Sequence, residues 1–249
     1  ISYYAGNIGQ MYEHEDISYL GTLDGRVVAF DKTDEKLWEN VSGEEDKSAV
    51  RVISAEGNRI YAAYSNCRIV VFDSISGEIV NVYLARSASD IQIIPEALKF
   101  CRDSEWFAVC GAYGQRQTIA LFETSAKGTM QTPQRMQDDM ICEMANIECF
   151  AFGDKADIYY ANSTGRIYRV SADNFTSAKL VGKTESGNAL KALAGTEENG
   201  FIGVDDGGIL YTFDDEWKKE EKKIYIRIFP LRLNAGMIFS ANLRTAAYF

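Results

Sequence analysis

Short apolar stretches alternate with clusters of Asn, Asp, Ser and Gly along most of the chain, and the stretch 53–83 shows the repeating unit most clearly. Runs rich in β-branched and aromatic residues occupy 59–64, 68–72 and 78–83, and another run, 49–54, precedes them. Such runs, bounded by turn residues, predict β-strands joined by tight turns. Four antiparallel strands of this length predict one blade of a β-propeller.

The unit recurs along the chain at a spacing close to that of propeller blades. The residue that ends the third strand of each unit is usually aromatic, and the series is Phe30, Phe72, Phe122, Val170, Phe213 and Phe249. Neighbouring members lie 36 to 50 residues apart, which brackets the ~40–45 residues of a typical four-stranded blade. The sequence therefore predicts an all-β fold, a six-bladed β-propeller of four-stranded antiparallel blades, as a single domain over 1–249.

The two ends of the chain complete the predicted ring. The sixth unit, 224–249, lacks a fourth strand, and the stretch 1–5 predicts a short strand ahead of the first blade. Pairing of this N-terminal strand with the last blade would close the ring and remove two free sheet edges. We predict this closure, with an open ring completed by a strand from another protein as the alternative.

Polar residues follow the third strand of most units. They are Asp31, Asp73, Glu123, Ser171 and Asp214. A ring of metal-binding or catalytic carboxylates is one interpretation of this series. A side chain at the head of a turn more commonly accepts hydrogen bonds from its own turn, so we predict a structural role.

Three polar segments interrupt the strand pattern. The stretch 124–140 lengthens the third unit, and the stretches 43–47 and 214–223 are rich in charged residues. We expect 124–140 to be an exposed loop, either a contact site or a spacer. Charge runs such as the other two are typical of solvated surface.

The composition is that of a soluble globular protein without affinity for nucleic acid. The chain has 249 residues, of which 46 % are hydrophobic and 25 % charged, and its formal net charge is −10. No basic stripe that could release counterions from nucleic acid is present, and no apolar run approaches the ~18 residues of a membrane span. We expect other protein subunits as partners, and a basic surface on them would complement the negative charge.

Cysteine and histidine usage argues against metal sites and nucleophilic catalysis. The five cysteines are Cys67, Cys101, Cys110, Cys142 and Cys149, without a Cys-x-x-Cys pair. Scattered cysteines predict reduced, mostly buried thiols and a cytoplasmic or nuclear location. A Ser–His–Asp or Cys–His site would need His14, the only histidine, which lies among charged residues. With no Gly-rich phosphate loop either, we predict no catalytic residue, no cofactor and no metal.

Two cations are the candidate partner-binding residues. Arg51 and Lys191 interrupt apolar inner strands at similar places in their blades. Each could point a charge towards a central channel, or it could pair with neighbouring carboxylates. Trp38 and Trp106 are expected to pack between blades as core residues.

Several segments resemble known propeller repeats. The segment 72–80, FDSISGEIV, resembles the strand–turn–strand segment of WD-repeat proteins, with Phe-Asp where that family often has Trp-Asp. The segment 97–109 resembles the stretch that those repeats place before and through their second strand, and 21–38 is similar to a quinoprotein-type repeat. The Gly-His dipeptide of strong WD repeats does not occur. We therefore expect the blades to depend on apolar packing more than on the family's Asp–His–Ser/Thr–Trp network.

The resemblance to WD-repeat propellers, which are mostly non-catalytic scaffolds, implies a function. It implies an interaction subunit of a larger intracellular complex that binds proteins through the loops and rim of the propeller. The alternative is a propeller enzyme or small-ligand binder of the quinoprotein or glycosidase type, with a site at the central channel. Carboxylates or a cofactor-sized cavity at that channel would favour the alternative, and a filled channel with an apolar rim would favour the scaffold.

Overall fold

The computed structural model describes residues 4, 7–41, 48–86, 90, 92–114, 116–126, 131–133, 135–136, 146–153, 156–184, 186–196, 200–213 and 219–220. Within these residues the chain forms β-strands and turns, without an α-helix. The chain divides into two compact units, Ile1–Asp138 and Asp139–Phe249.

The described part of the first unit consists of three four-stranded antiparallel sheets, each with its strands paired in chain order. Sheet 1 contains β1 (Ile8–His14), β2 (Ile17–Thr22), β3 (Arg26–Phe30) and β4 (Lys36–Val41). Sheet 2 contains β5 (Val50–Glu56), β6 (Arg59–Tyr64), β7 (Arg68–Asp73) and β8 (Ile79–Leu84). Sheet 3 contains β9 (Ile94–Phe100), β10 (Trp106–Tyr113), β11 (Arg116–Glu123) and β12 (Arg135–Met136).

The described part of the second unit consists of two further sheets of the same kind. Sheet 4 contains β13 (Ile147–Phe152), β14 (Ile158–Asn162), β15 (Arg166–Ser171) and β16 (Asn174–Lys183). Sheet 5 contains β17 (Leu190–Gly195), β18 (Phe201–Asp205), β19 (Leu210–Phe213) and β20 (Lys219–Glu220). Within each unit the first strands of successive sheets lie side by side, β1 with β5, β5 with β9, and β13 with β17.

The five sheets correspond to the first five predicted units, and the all-β, four-stranded antiparallel pattern is confirmed. The sixth unit (224–249), the stretch 43–47 and most of 214–223 lie outside the described residues. Of the predicted N-terminal strand, 1–5, only Tyr4 is described. A sixth blade, closure of the ring and a single domain over 1–249 therefore stay predictions.

The first sheet contains a strand that the sequence pattern does not predict. This strand, β1, pairs antiparallel with β2 and completes sheet 1. Apolar and polar residues alternate only weakly along it. Its side chains are only partly buried, and Met11 is 47 % exposed. Glu15 and Asp16, which follow the strand, both have positive φ and form the two-residue turn to β2. Charged residues before and within this turn concealed the hairpin.

The segment 124–140 is not simply the exposed loop expected from its polar sequence. Arg135–Met136 forms β12, the fourth strand of sheet 3, and pairs with β11. Gln131 lies along β8 of sheet 2, where its carbonyl oxygen accepts from Leu84 N at 2.7 Å and its own N–H donates to Val82 O at 3.0 Å. Backbone groups make these bonds, so polar side chains do not prevent them. The expectation was wrong for this part of the segment.

Aromatic and aliphatic side chains fill the layer between neighbouring sheets of a unit, which we call a seam. The seams of sheets 1–2, 2–3 and 4–5 each contain one cluster of buried apolar residues. In the seam of sheets 2 and 3, the rings of Phe107 and Phe122 stack with centroids 4.9 Å apart. Burying one such side chain stabilises a fold by about 1.5–3 kcal/mol. The sheets within each unit are therefore joined by shared apolar faces, as predicted.

The two tryptophans predicted as core residues differ in burial. Trp38 is 8 % exposed and packs in the seam of sheets 1 and 2. Trp106 is only half-buried, and the guanidinium of Arg135 lies 5.8 Å from its ring centroid. The prediction holds in full for Trp38 alone.

Asp31 and Asp73, two of the residues predicted to accept hydrogen bonds from their own turns, have that structural role, whereas Asp214 lies outside the described residues. Asp31 Oδ1 accepts from the hydroxyl and the N–H of Thr33 and from the N–H of Glu35, at 2.7–2.9 Å. Asp73 Oδ1 accepts from the N–H and the hydroxyl of Ser76, at 3.0 and 3.2 Å. These bonds hold the pKa of both carboxyls below the usual value. Each carboxylate is thus committed to its own turn.

Sheet 5 contains a buried polar network in addition to its apolar packing. Asp205 is 1 % exposed, and its Oδ2 accepts from Tyr211 Oη at 2.9 Å and from Ser186 Oγ at 3.1 Å. Asn188 Nδ2 approaches the same oxygen at 3.4 Å, and Ile209 N donates to Oδ1 at 2.8 Å. Burial opposes ionisation, but the hydrogen bonds outweigh it and lower the pKa of Asp205. Serine, asparagine and tyrosine supply the donors without a histidine.

The four described cysteines are free thiols. Cys67, Cys101 and Cys110 are buried and Cys149 is half-buried, whereas Cys142 lies outside the described residues. Burial raises the pKa of Cys67 and is the main cause that raises the pKa of Cys101 to about 11. The described cysteines are therefore free and mostly buried thiols, as predicted.

Candidate functional site

The first strand of each described sheet carries one extra residue near its beginning. In sheet 2, Val50 pairs with Tyr64 and Val52 pairs with Ala63, so Arg51 stands opposite no residue of β6. The other four sheets have the same two-against-one register, and their extra residues are Gly9, Glu96, Glu148 and Lys191. This arrangement is a β-bulge, which re-aims a side chain and leaves one residue out of the ladder. Arg51 and Lys191 are therefore structurally equivalent.

The bulges lie at the end of each sheet where the second strand passes into the third. In sheet 2 the chain turns directly after Tyr64, and Cys67 N donates to Tyr64 O at 3.1 Å. In sheet 5 it turns after Asp205, and Gly208 N donates to Asp205 O at 3.0 Å. Cys67 and Gly208 both have positive φ, which closes the turn tightly. Within each unit, the bulge residues and these turns form one surface, which we call the bulge surface.

Arg51 is an exposed cation of the bulge surface in the first unit. It forms no hydrogen bond or ion pair with any described residue. Its neighbour Val50 is 1 % exposed and packs in the seam of sheets 1 and 2, so the bulge separates a buried residue from an exposed one. Arg51 thus has five N–H donors available for a partner.

Lys191 and Glu148 join the two bulges of the second unit. Lys191 Nζ lies 2.7 Å from Glu148 Oε2, between β17 and β13. This hydrogen bond is the main cause that raises the pKa of Lys191. The lysine side chain is 44 % exposed, so the pair contributes little to stability. Of the two predicted cations, Lys191 is the one that pairs with a carboxylate.

Sequence reasoning missed the two acidic members of the set. Glu96 is exposed, and its Oε2 accepts from Gln117 Nε2 at 2.7 Å. Glu148 is the partner of Lys191 described above. Glu96 and Glu148 carry a charge opposite to that of Arg51, so a comparison that looks for the same residue type at equivalent positions of the repeats does not find them. The strand pairing, which defines the bulge, is the signal that unites all five.

Gly9 occupies the bulge of sheet 1, where the chain approaches sheet 2 closely. A Cβ atom at this position would lie 3.0 Å from the carbonyl oxygen of Val50 and 3.2 Å from the side chain of Leu23. These distances explain why the bulge of this sheet carries no side chain.

The described residues do not form a recognisable catalytic or metal centre. His14 lies at the end of β1, and its Nε2 is 3.0 Å from Gly57 O in the turn of sheet 2. Among the residues described, no three His, Cys, Asp or Glu side chains are placed to hold a metal ion together. No helix in the described ranges is long and apolar enough to cross a membrane.

Comparison with known proteins shows the fold but not a family. No family model and no curated protein matches the sequence. Solved structures do resemble it, among them Saccharomyces cerevisiae Sqt1, with a TM-score of 0.65 and 14 % identity. A chain of the mitotic checkpoint complex gives 0.61 and 12 %. The β-propeller domain of Cps50 (Swd1) from Myceliophteria thermophila gives 0.59 and 11 %.

The matches extend over most of this chain but over less of the solved proteins. Each covers 86 % of the present chain. The chain spans 60 % of the Sqt1 chain, 64 % of the checkpoint-complex chain and 70 % of the Cps50 domain. Identities this low show the fold alone, and the fold is that of a β-propeller.

Proposed function

We propose that this chain is a WD-repeat-like propeller subunit that binds other proteins through its bulge surface and has no catalytic role. The observation that carries the proposal is the recurrence of one bulge, at one position, in all five described sheets. A β-bulge presents a side chain outside the ladder, and in four of the five sheets that side chain is charged.

The chemistry of the bulge surface suits recognition of a protein. Arg51 is exposed, has no partner among the described residues, and is of the residue type enriched at the centres of protein interfaces. Glu96 and the Lys191–Glu148 pair add charges of both signs, which set orientation and specificity more than affinity. We infer that Arg51 binds a carboxylate of the partner. The net charge of −10 favours partners whose wider surface is basic.

The comparisons support an assembly role without defining the assembly, and its location in the cytoplasm or nucleus is part of the proposal. One of the similar solved structures is described as the mitotic checkpoint complex, which is a multiprotein assembly. Propellers also serve unrelated functions, so the fold is only supporting evidence.

Affinity capture from native extract, followed by mass spectrometry, tests the proposal when it compares three forms of the chain. Arg51→Glu reverses the charge at the bulge, and Lys179→Glu makes the same change on the exposed outermost strand of sheet 4. We expect Arg51→Glu to lose the captured proteins and Lys179→Glu to retain them. Equal capture by all three forms would reject the bulge surface as the interface. A chain that captures nothing and turns over a small substrate would reject the scaffold role itself.

A further inference from the structure

The two seams of the first unit are built on the same register but are filled differently. In sheet 1, Trp38 of β4 pairs with Ala29, and in sheet 2, Asn81 of β8 pairs with Val71. In both sheets the register then shifts by one residue, directly after that pair. Trp38 and Asn81 therefore occupy equivalent positions on the outermost strands of neighbouring sheets.

Trp38 fills its seam completely. Its indole Nε1 donates to Ser74 O of sheet 2 at 3.0 Å, and its ring lies 5.9 Å from the rings of Tyr19 and Phe72. The ring also approaches Gly77 so closely that a Cβ atom there would lie 2.5 Å from it. The Tyr19 hydroxyl donates towards the same carbonyl of Ser74 at 3.4 Å.

Asn81 is too short to fill the equivalent space between sheets 2 and 3. Its amide Nδ2 donates to Ala126 O at 2.7 Å. A cavity of about 320 Å³ remains beside it, walled by Val71, Val80 and the ring of Tyr83. This volume is at the small end of ligand sites, which span about 300–1,000 Å³. The cavity lies at the end of the sheet opposite to the bulge surface.

Unused hydrogen-bond donors line this cavity. Tyr61 pairs with Val71 as Tyr19 pairs with Ala29, and its side chain is 4 % exposed. Unlike Tyr19, it has no hydroxyl partner among the described residues, and the carbonyl at the matching turn position, Thr124 O, accepts from Tyr83 Oη at 3.1 Å. Burial raises the pKa of Tyr61, so the hydroxyl keeps its proton and can donate.

Two further donors accompany Tyr61. Ser125 lines the cavity, and its hydroxyl makes no hydrogen bond to a described residue. Arg59 also lines it and uses only Nη1, which lies 3.3 Å from Asp73 Oδ2. The rest of its guanidinium is available. All three side chains line the cavity, so a ligand that supplies an acceptor can take up their hydrogen bonds in place of water.

We propose that this cavity binds a planar aromatic ring that carries a carboxylate. The ring occupies the space that the indole of Trp38 fills in the preceding seam, against Val71 and Tyr83. The carboxylate accepts hydrogen bonds from Tyr61, Ser125 and Arg59, since an ionised carboxylate is an acceptor only and pairs well with a guanidinium. This site is independent of the bulge surface, and either proposal can fail alone.

Titration of the full chain, followed by NMR, tests the proposal with three probes. Indole-3-carboxylate has both the ring and the carboxylate, indole has only the ring, and cyclohexanecarboxylate has the charge without a planar ring. We expect saturable binding of indole-3-carboxylate, about tenfold tighter than that of either other probe. N-acetyltryptophan, titrated separately, represents a peptide that ends in tryptophan. Its affinity relative to that of indole-3-carboxylate distinguishes a peptide end from a free small molecule as the source of the ring and the carboxylate. Absence of binding, or equal binding of the three probes, would overturn the proposal.

Variants locate the binding. Tyr61→Phe and Arg59→Met should each lower the affinity for indole-3-carboxylate about tenfold. Tyr19→Phe, in the other seam, should leave this affinity unchanged. Asn81→Trp should abolish binding, because the new indole fills the cavity as Trp38 fills its own seam. Binding that persists in Asn81→Trp, or that is unchanged in Tyr61→Phe, would place the ligand elsewhere and reject the site.

Discussion

The indole nitrogen of Trp38 donates a 3.0 Å hydrogen bond to the carbonyl oxygen of Ser74, which fastens the outermost strand of sheet 1 to a turn of sheet 2. Trp38→Phe removes this bond and part of the ring that fills the seam. We expect the free energy of unfolding to fall by about 1–3 kcal/mol, measured by denaturant titration. Trp106→Phe is the control, since Trp106 is only half-buried. Equal losses in the two variants would contradict this role of the Trp38 bond.

Gly77 provides a second test of the same seam. Its φ is +71°, and an added Cβ would lie 2.5 Å from the Trp38 ring. Gly77→Ala should therefore lower the free energy of unfolding by about 2–4 kcal/mol, through both backbone strain and overpacking. Gly57→Ala is the matched control, because Gly57 also has positive φ, +55°, but no atom within 4 Å of its added Cβ. It should lose only the backbone component of about 1–2 kcal/mol. Equal losses of unfolding free energy in the two variants would show that the close approach of residue 77 to the Trp38 ring does not affect stability.

The strands were predictable from the sequence where apolar residues run continuously. The run 59–64 is buried almost throughout and forms β6 at those bounds. β1 was not predictable, because half-burial gives a weak pattern and charged residues lie before and within the turn that follows it. The likeness of Arg51 and Lys191 was visible because both interrupt apolar strands. The bulge that unites them with Glu96 and Glu148, and the cavity beside Asn81, depend on strand register, which side-chain patterns alone did not reveal.

The lowered pKa of Asp205 predicts how stability depends on pH. A carboxyl whose pKa is lower in the folded than in the unfolded chain stabilises the fold above its unfolded value, about 3.9. That contribution is lost as the pH falls through the lower, folded value. Asp205→Asn should reduce the free energy of unfolding by about 1–3 kcal/mol at neutral pH. The difference from wild type should shrink as both are acidified.

Other carboxyls with lowered pKa values, such as Asp31 and Asp73, titrate in the same window. Only the difference between wild type and Asp205→Asn therefore reports on this network. Denaturant titrations of both proteins between neutral and strongly acid pH give that difference directly. A difference that is constant with pH would mean that the Asp205 charge does not stabilise the fold.

Loss of the side-chain hydroxyl should change the free energy of unfolding differently at Tyr61 and at Tyr83, although both lie in one seam. Tyr83 Oη contacts the carbonyl oxygens of Glu123 and Thr124 at 3.0 and 3.1 Å, whereas Tyr61 Oη has no described partner. Tyr83→Phe should therefore lower the free energy of unfolding by about 1 kcal/mol, because it removes the hydrogen bond that the hydroxyl donates to these carbonyls. Tyr61→Phe should leave the free energy of unfolding nearly unchanged, since it removes no hydrogen bond to a described residue. A comparable loss in Tyr61→Phe, measured without ligand, would show that its hydroxyl already has a partner, and the cavity would lose its principal donor.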